Sequence, residues 1–419
     1  MDIPQGYKQT ELGIIPEDWE IVNLGSVAKI NGRIGFRGYT TADLVGVGQG
    51  AYTIGGKHIT NMVLDLHDAE YISWQKYYES PEIMVRKGDI VFAQRGTLGK
   101  SAFIVNDIGP ATINPSLVLI NKIKCDKAFL SYWLQCDKIV EYICSINSQT
   151  SIPMITQNQI EHIPVVLSRI KAEQQAIAEA LGDIDGLIAT LDKKIAKKRL
   201  IKQGAMSQLL TGKKRLPGFS DPWVEKKFSD LYRYASEGGT PDTNNMRFYA
   251  NGDVPFVKIE DTETKYIESC NSFITSEGIN NSSAWIVPVN SIIYTNGATI
   301  GNVSINKIPV ATKQGILGII PSSIINLEFM YYLLLSQNFK REVDSRQAKG
   351  TFATIILKSL DEIPIYLPLN QMEQIAIATI LSDMDKEIAD LEAQRDKYRL
   401  LKSGMMQKLL TGQIRLKIK

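Results

Sequence analysis

The residues that could do chemistry are few, and each candidate lacks a part that its reaction requires. Arg95-Gly96-Thr97-Leu98-Gly99-Lys100-Ser101 ends in the Gly-Lys-Ser of a phosphate-binding loop. Such a loop needs a glycine five residues before Gly99, where this chain has Gln94, and a helix after it to aim an N-terminus at phosphate. Ala102-Phe103-Ile104-Val105 reads as a strand, which argues against nucleotide hydrolysis. Asn114-Pro115-Ser116 is not the Asn-Pro-Pro-aromatic clamp of an adenine methyltransferase, and no Gly-rich cofactor fingerprint occurs. Pro241-Asp242 with Glu263-Thr264-Lys265 has the outline of a nuclease's metal-binding acids, but the first half of the chain has no counterpart. Gly238-Gly239-Thr240-Pro241 reads more simply as a turn. Three scattered histidines (His58, His67, His162) and four cysteines (Cys125, Cys136, Cys144, Cys270) without a CxxC pair argue against a metal centre or a disulfide frame. No nucleophile stands at a convincing spacing from a base, so no catalytic site is expected.

What the chain does offer is polar, glycine-supported loops at matching places in its two halves. In the first half these carry Lys57 and His58, then Gln94, Arg95, Thr97 and Lys100, then Gln149 and Thr150. In the second they carry Lys258, then Asn296 and Thr299, then Lys313 and Gln314, then Arg346, Lys349 and Thr351. Arg and Lys can bond guanine, Asn and Gln can bond adenine, and hydroxyls can hold phosphate. Any one of these residues alone is an ordinary turn residue. As a duplicated set they are candidates for reading DNA.

The elements that must position these loops are announced by a repeat. Glu173–Leu216 returns as Glu373–Leu416 without a gap and with roughly half its positions identical. Ile177, Leu181, Ile184, Ile188 and Leu191 step by four and three, the pattern of a coiled-coil seam. Ile377, Leu381, Met384, Ile388 and Leu391 keep that register in the second copy. The seam runs about three heptads, which predicts a short helix pair, with packing of each helix on its own globule as the plainer alternative. Gly204 and Gly404 are expected to stop or kink the long helices, and Gly212 and Gly412 to cap the short helix after them.

The segments between the repeats share a plan but little identity. The first contains a strand, turn and strand over Glu82–Phe92, a hairpin at Arg95–Lys100, and helical spacing over Ala128–Ile146. In the second, Val289–Tyr294 answers the strand at Ile90, and Asn296–Gly301 answers the hairpin. The expected fold is α+β: two α/β globules alternating with two long helical segments that pair as an antiparallel coiled coil, related by an internal pseudo-twofold. Its bounds are 1–168, 169–216, 217–366 and 367–419. A net charge of +2 hides an asymmetry: residues 1–165 and 217–366 each carry −3, while 166–216 carries +6 and 367–419 carries +2. The globules are not basic, so positive potential must come from local loops and from helix residues such as Lys193, Lys194, Lys197, Lys198, Arg199 and Lys202. No apolar run of about 18 residues and no signal-peptide core occurs, which points to a cytoplasmic protein without a membrane partner.

Taken together the chain resembles the specificity subunit of type I restriction-modification systems over essentially its whole length. The resemblance is carried by the duplicated Glu-Gln-x-x-Ile-Ala…Leu-x-Asp-x-Asp…Leu-Leu-Thr-Gly segments. It extends to Lys87–Phe92 with Arg95–Lys100, and to Gly238–Pro241 with Val254–Ile259. It implies a non-catalytic subunit whose globules are target-recognition domains, each reading one half of an asymmetric bipartite site in double-stranded DNA. The helical pair would set the spacer and dock two methyltransferase subunits, with restriction and translocase subunits as further partners. The resemblance implies no cofactor in this chain and places S-adenosylmethionine, ATP and Mg on the partners. Two other readings differ in kind: a free-standing two-headed scaffold or DNA binder, and a self-sufficient nuclease using Asp242, Glu263 and Lys265.

Overall fold

The computed structural model describes residues 3–60, 62–146, 153–297, 299–347 and 354–417. By its contacts the chain divides into two compact units, one of residues 1–191 with 394–419 and one of residues 192–393. Each unit takes one globule and part of each long helix.

In the first unit, strands Ser101–Phe103, Ile90–Ala93, Leu117–Asn121 and Lys29–Gly32 form an antiparallel sheet in that order. A second sheet runs Ala111–Ile113, Gly50–Ile54, Glu70–Ser73, Leu44–Val45, and its first pair is parallel. The expected strand ahead of the Lys-Gly-Asp turn is absent: Pro81–Ile83 is a 3-10 turn, because Pro81 has no N–H for a ladder and fixes its own φ. Ala128–Ile146 is two helices, Lys127–Trp133, capped by the Asp126 carboxylate accepting from Phe129 N, and Asp137–Ser145, which starts after Cys136 without a side-chain cap. Val91, Leu117 and Leu119 face one core between the sheets, while Ile90, Phe92, Val118 and Ile120 join the helices in the other.

The second unit repeats the plan. Tyr232–Glu237, Ile316–Pro321, Ile292–Thr295, Val303–Asn306 and Tyr266–Ile267 form its larger sheet. Phe273–Ile274, Val254–Val257, Val310–Thr312 and Ile286–Val287 form the smaller, and here too the central pair, Val254–Val257 with Val310–Thr312, is parallel.

Lys171–Leu209 and Gln371–Leu409 are single helices of 39 residues. Gly204 and Gly404 neither stop nor kink them as expected: each lies inside its helix with open space where a Cβ would be. A lone glycine costs only about 1 kcal/mol against alanine, which a long packed helix absorbs. Gly212 and Gly412 do end the helices, both at φ +68°. Their N–H groups donate to Leu209 O and Leu409 O.

The helices pair antiparallel within each unit, and the repeat motif explains how. In the second unit Lys198 meets Glu387 and Lys202 meets Asp385, one number rising as the other falls. In the first, Lys402 meets Asp185 at 2.7 Å. Glu173 is buried and accepts from Trp19 Nε1, Ser168 Oγ and the Arg415 guanidinium. Glu373 is buried likewise, accepting from Trp223 Nε1 at 3.3 Å and from Arg215 Nε and Nη2 at 2.7 and 2.9 Å. Asp185 takes the Tyr132 hydroxyl at 2.8 Å, and Asp385 takes that of Tyr332 at 2.8 Å. Gln174 and Gln374 accept the first N–H ahead of a globule helix, from Asp126 and Asn326.

The seam is shared between the two packing modes. Ile177 and Leu181 are buried in their globule's core, which also takes Leu409 and Leu410 from the other helix. Ile377 and Leu381 do the same with Leu209 and Leu210. Leu191, Ile388 and Leu391 are buried further along, and Ile184, Ile188 and Met384 are half-buried. Each helix therefore packs both on its partner helix and on its globule.

Candidate nucleic-acid interface

In the first unit the parallel strands Gly50–Ile54 and Ala111–Ile113 end side by side, so the loops after them start together. The Asn114 N–H donates to Ile54 O at 2.8 Å across that end. The hairpin after Ile90–Ala93 turns on Gly96 and Gly99, at φ +82° and +77°, which an L side chain rarely adopts. It is held against the same loops: Gln94 N and Arg95 N both donate to Ser116 O, at 3.0 and 3.2 Å. Ile155 N donates to Gln94 O and Gly96 N to Pro153 O, each at 3.0 Å. The loops enclose a cavity of about 350 Å³ lined by Lys57, His58, Arg95 and Thr97 with Thr53, Glu70, Asn114 and Ser116. Two loops 40 residues apart in sequence, picked out as DNA-reading candidates, thus meet in one site.

The second unit builds the same scaffold. Asn296 N and Gly297 N donate to Gly315 O, at 2.9 and 3.2 Å, and Ile355 N donates to Asn296 O at 2.9 Å. Gly297 pairs with Thr354 as Arg95 pairs with Met154. The side chains on that scaffold differ. Glu237 reaches in to accept from Gly315 N at 2.6 Å, and Asn296 Nδ2 donates to Ile355 O at 3.1 Å.

Several predicted readers also bond within their own units. His58 is 3% exposed, and its Nδ1 accepts from the Gly55 N–H at 2.9 Å, so it braces the turn. Burial pushes the His58 imidazole below its ordinary pKa and Lys57 adds to that, against the pull of Asp68. Asn296 is 4% exposed and braces the second hairpin in the same way. The Gln94 amide donates to Pro115 O at 3.0 Å. Arg346 is held by Glu342 one helical turn before it. Gln94 and Arg346 thus spend donors on main-chain carbonyls, while His58 Nε2 and Asn296 Oδ1 are buried without a hydrogen-bond partner. Arg95, Thr97, Lys100, Thr299 and Gln314 are exposed, and Lys258 and Lys313 half-buried. Lys57 is 55% exposed, its Nζ 3.4 Å from Asp68. Gln149, Thr150, Lys349 and Thr351 lie outside the described residues.

The sequence reading missed Thr53, Glu70, Asn114 and Ser116. Asn114 was visible as part of a failed methyltransferase motif, but nothing local shows that its strand runs beside Gly50–Ile54. No group of three or more potential metal ligands occurs among the described residues. No described helix is long and apolar enough to cross a membrane.

Two α/β units with one loop scaffold and different side chains, tied by repeated helices, define a two-headed recognition protein. The model of the type I restriction modification DNA specificity domain matches twice, over residues 16–198 and 220–398, and the chain belongs to that family. A putative type I restriction enzyme MjaX specificity subunit from Methanocaldococcus jannaschii is 26% identical over 99% of this chain and 97% of its own. A chain from a structure of a type I restriction-modification system covers 96% of this chain with a TM-score of 0.61 at 16% identity, and 99% of its own length is covered. The crystal structure of the type I S subunit from M. genitalium covers 98% of each chain with a TM-score of 0.57 at 15% identity.

Proposed function

We propose that this chain gives a type I restriction-modification complex its DNA sequence specificity, each unit reading one half of a bipartite, asymmetric target. The observation that carries this is the contrast between the units. Hydrogen bonds that shape the candidate loops recur in both, donated to Ser116 O in one and to Gly315 O in the other, while the side chains they present differ. One scaffold with two faces suits two different half-sites. Family membership speaks against the free-standing scaffold reading.

The helical pair would fix the spacer and dock two modification subunits. In support, Leu200 and Leu400 occupy the same place in the repeat and are 68% and 76% exposed, and Ile201 and Leu401 beside them are 45% and 47% exposed. Large aliphatic residues left in water at matching points suit two copies of one partner. The chain itself would be non-catalytic and cytoplasmic. Adenine methylation with S-adenosylmethionine, and ATP- and Mg-dependent cleavage, would belong to the partners.

Purification through a tag on this chain, followed by sequencing of methylated sites in the same cells, tests the proposal. Co-purifying adenine methyltransferase and a two-part, non-palindromic methylated motif are expected. A palindromic motif, or no methyltransferase at low salt, would sink it.

A further inference from the structure

The cavity of the first unit has a polar wall that the shared loop scaffold does not require. Thr53 and Glu70 stand directly opposite each other in the antiparallel pair Gly50–Ile54 and Glu70–Ser73, so both side chains lie on the cavity face. Thr53 is 2% exposed, and its Oγ1 has no hydrogen-bond partner. A buried hydroxyl without a partner is unfavourable, and a ligand that bonds it removes that cost. Glu70 is exposed, and among the described residues its carboxylate forms no ion pair. Lys57, 3.4 Å from Asp68, and Arg95 also line the cavity and carry donors.

We infer that this cavity reads a G·C base pair through its major-groove edge, with Glu70 accepting from the cytosine amine and Lys57 and Arg95 donating to guanine. The inference rests on the proposed DNA-reading role and names the base pair and its readers. Two observations select this ligand. A carboxylate in the wall disfavours phosphate, whose charge it repels. The G·C edge offers two acceptors and then a donor, the complement of two cations and a carboxylate.

The second unit lacks this wall. At the same step of its parallel pair, Phe256 replaces Thr53, pairing with Ala311 as Thr53 pairs along Thr112. Its nearby carboxylate, Glu237, is spent on Gly315 N and Asn296 Nδ2. The G·C requirement therefore belongs to the first unit's half-site.

The test is selection from a randomised duplex library by the complex purified through a tag on the full-length chain. Wild type, Glu70→Gln and Glu70→Asp are compared. Wild type selects a two-part motif with a G·C pair in one half. Glu70→Gln lowers the preference for that pair over A·T about tenfold or more, the scale of one good base contact, and leaves the other half and the spacer unchanged. Glu70→Asp keeps the carboxylate and retains the preference. An unchanged motif in Glu70→Gln overturns the cavity reading while leaving the two-headed reader intact. Uniform loss of binding to every sequence also overturns it, by making Glu70 a structural residue. Absence of any two-part motif in wild type overturns both.

Discussion

Arg95 and Asn296 lie one step apart on the shared hairpin plan, Asn296 in the place of Gln94 and Gly297 in that of Arg95, and their substitutions are expected to do different things. Arg95 is bonded through its main chain to Ser116 O, and its side chain is exposed, with Nη2 3.2 Å from the Met154 sulfur. Arg95→Ala should therefore leave the melting temperature alone and change preference at one half-site only. Library selection checks this, and an equal loss on all sequences would assign Arg95 to phosphate. Asn296 is buried and holds Ile355 O, so Asn296→Ala should cost about 1–2 kcal/mol of stability, read by denaturant melts. His58 adds a pH dependence. Its folded pKa lies below the unfolded value near 6.5, so the folded state binds fewer protons as pH falls past that value. Stability from neutral His58 is thus complete above about pH 6.5 and declines as pH falls towards the lower folded pKa. The loss of melting temperature between pH 7.5 and 5.5 should shrink in His58→Gln; an equal loss would place the acid sensitivity elsewhere.

At the scale of elements, the repeat made the helices legible and misjudged where they end. The seam residues and the caps at Gly212 and Gly412 could be read because helix periodicity and φ-demanding glycines are local properties. That Gly204 and Gly404 pass unnoticed inside the helices depends on packing along 39 residues, which no local pattern reports. The candidate loops were legible as polar, glycine-bearing turns, but the cavity was not. Its Thr53, Glu70 and Asn114 are assembled by pairing of strands up to about 60 residues apart, and single side chains like these carry no periodic signal. The Glu–Arg closure of the helices was printed twice in the repeat, yet its partners lie in opposite copies. Arg415 holds Glu173 and Asp18, and both carboxylates raise the guanidinium's proton affinity. Arg415→Met would leave Glu173 buried with only Trp19 and Ser168 to bond it. A cost of about 3 kcal/mol is expected, the low end for breaking a buried pair because Arg415 is about a third exposed. Adding Glu173→Gln should recover part of that loss in a double-mutant cycle, and strict additivity would rule the pair out as a coupled one.

For the whole molecule the helical pair carries the decisive prediction, because the units divide at points where helix can be added to both without breaking either. Unit one ends at Leu191 and resumes at Gln394, so equal insertions after Leu191 and after Ala393 leave each unit's internal ion pairs in place. Insertion in one helix alone would throw Lys198 and Lys202 out of register with Glu387 and Asp385. One heptad in both helices lengthens the pair by about 10.5 Å, equal to about three base pairs of B-DNA. Seven residues nearly restore the helix's facing, whereas three base pairs turn one half-site by roughly a third of a duplex turn. The preferred spacer should therefore grow by about three base pairs with weakened affinity. Three heptads add about 31.5 Å, close to the 34–36 Å of a full duplex turn, and should restore affinity at a spacer longer by about nine or ten base pairs. Library selection with degenerate spacers reads both numbers, with the half-sites themselves unchanged. A spacer that stays constant across the series would mean that the helices do not measure the target, and the distance between half-sites would then have to be set by the partner subunits.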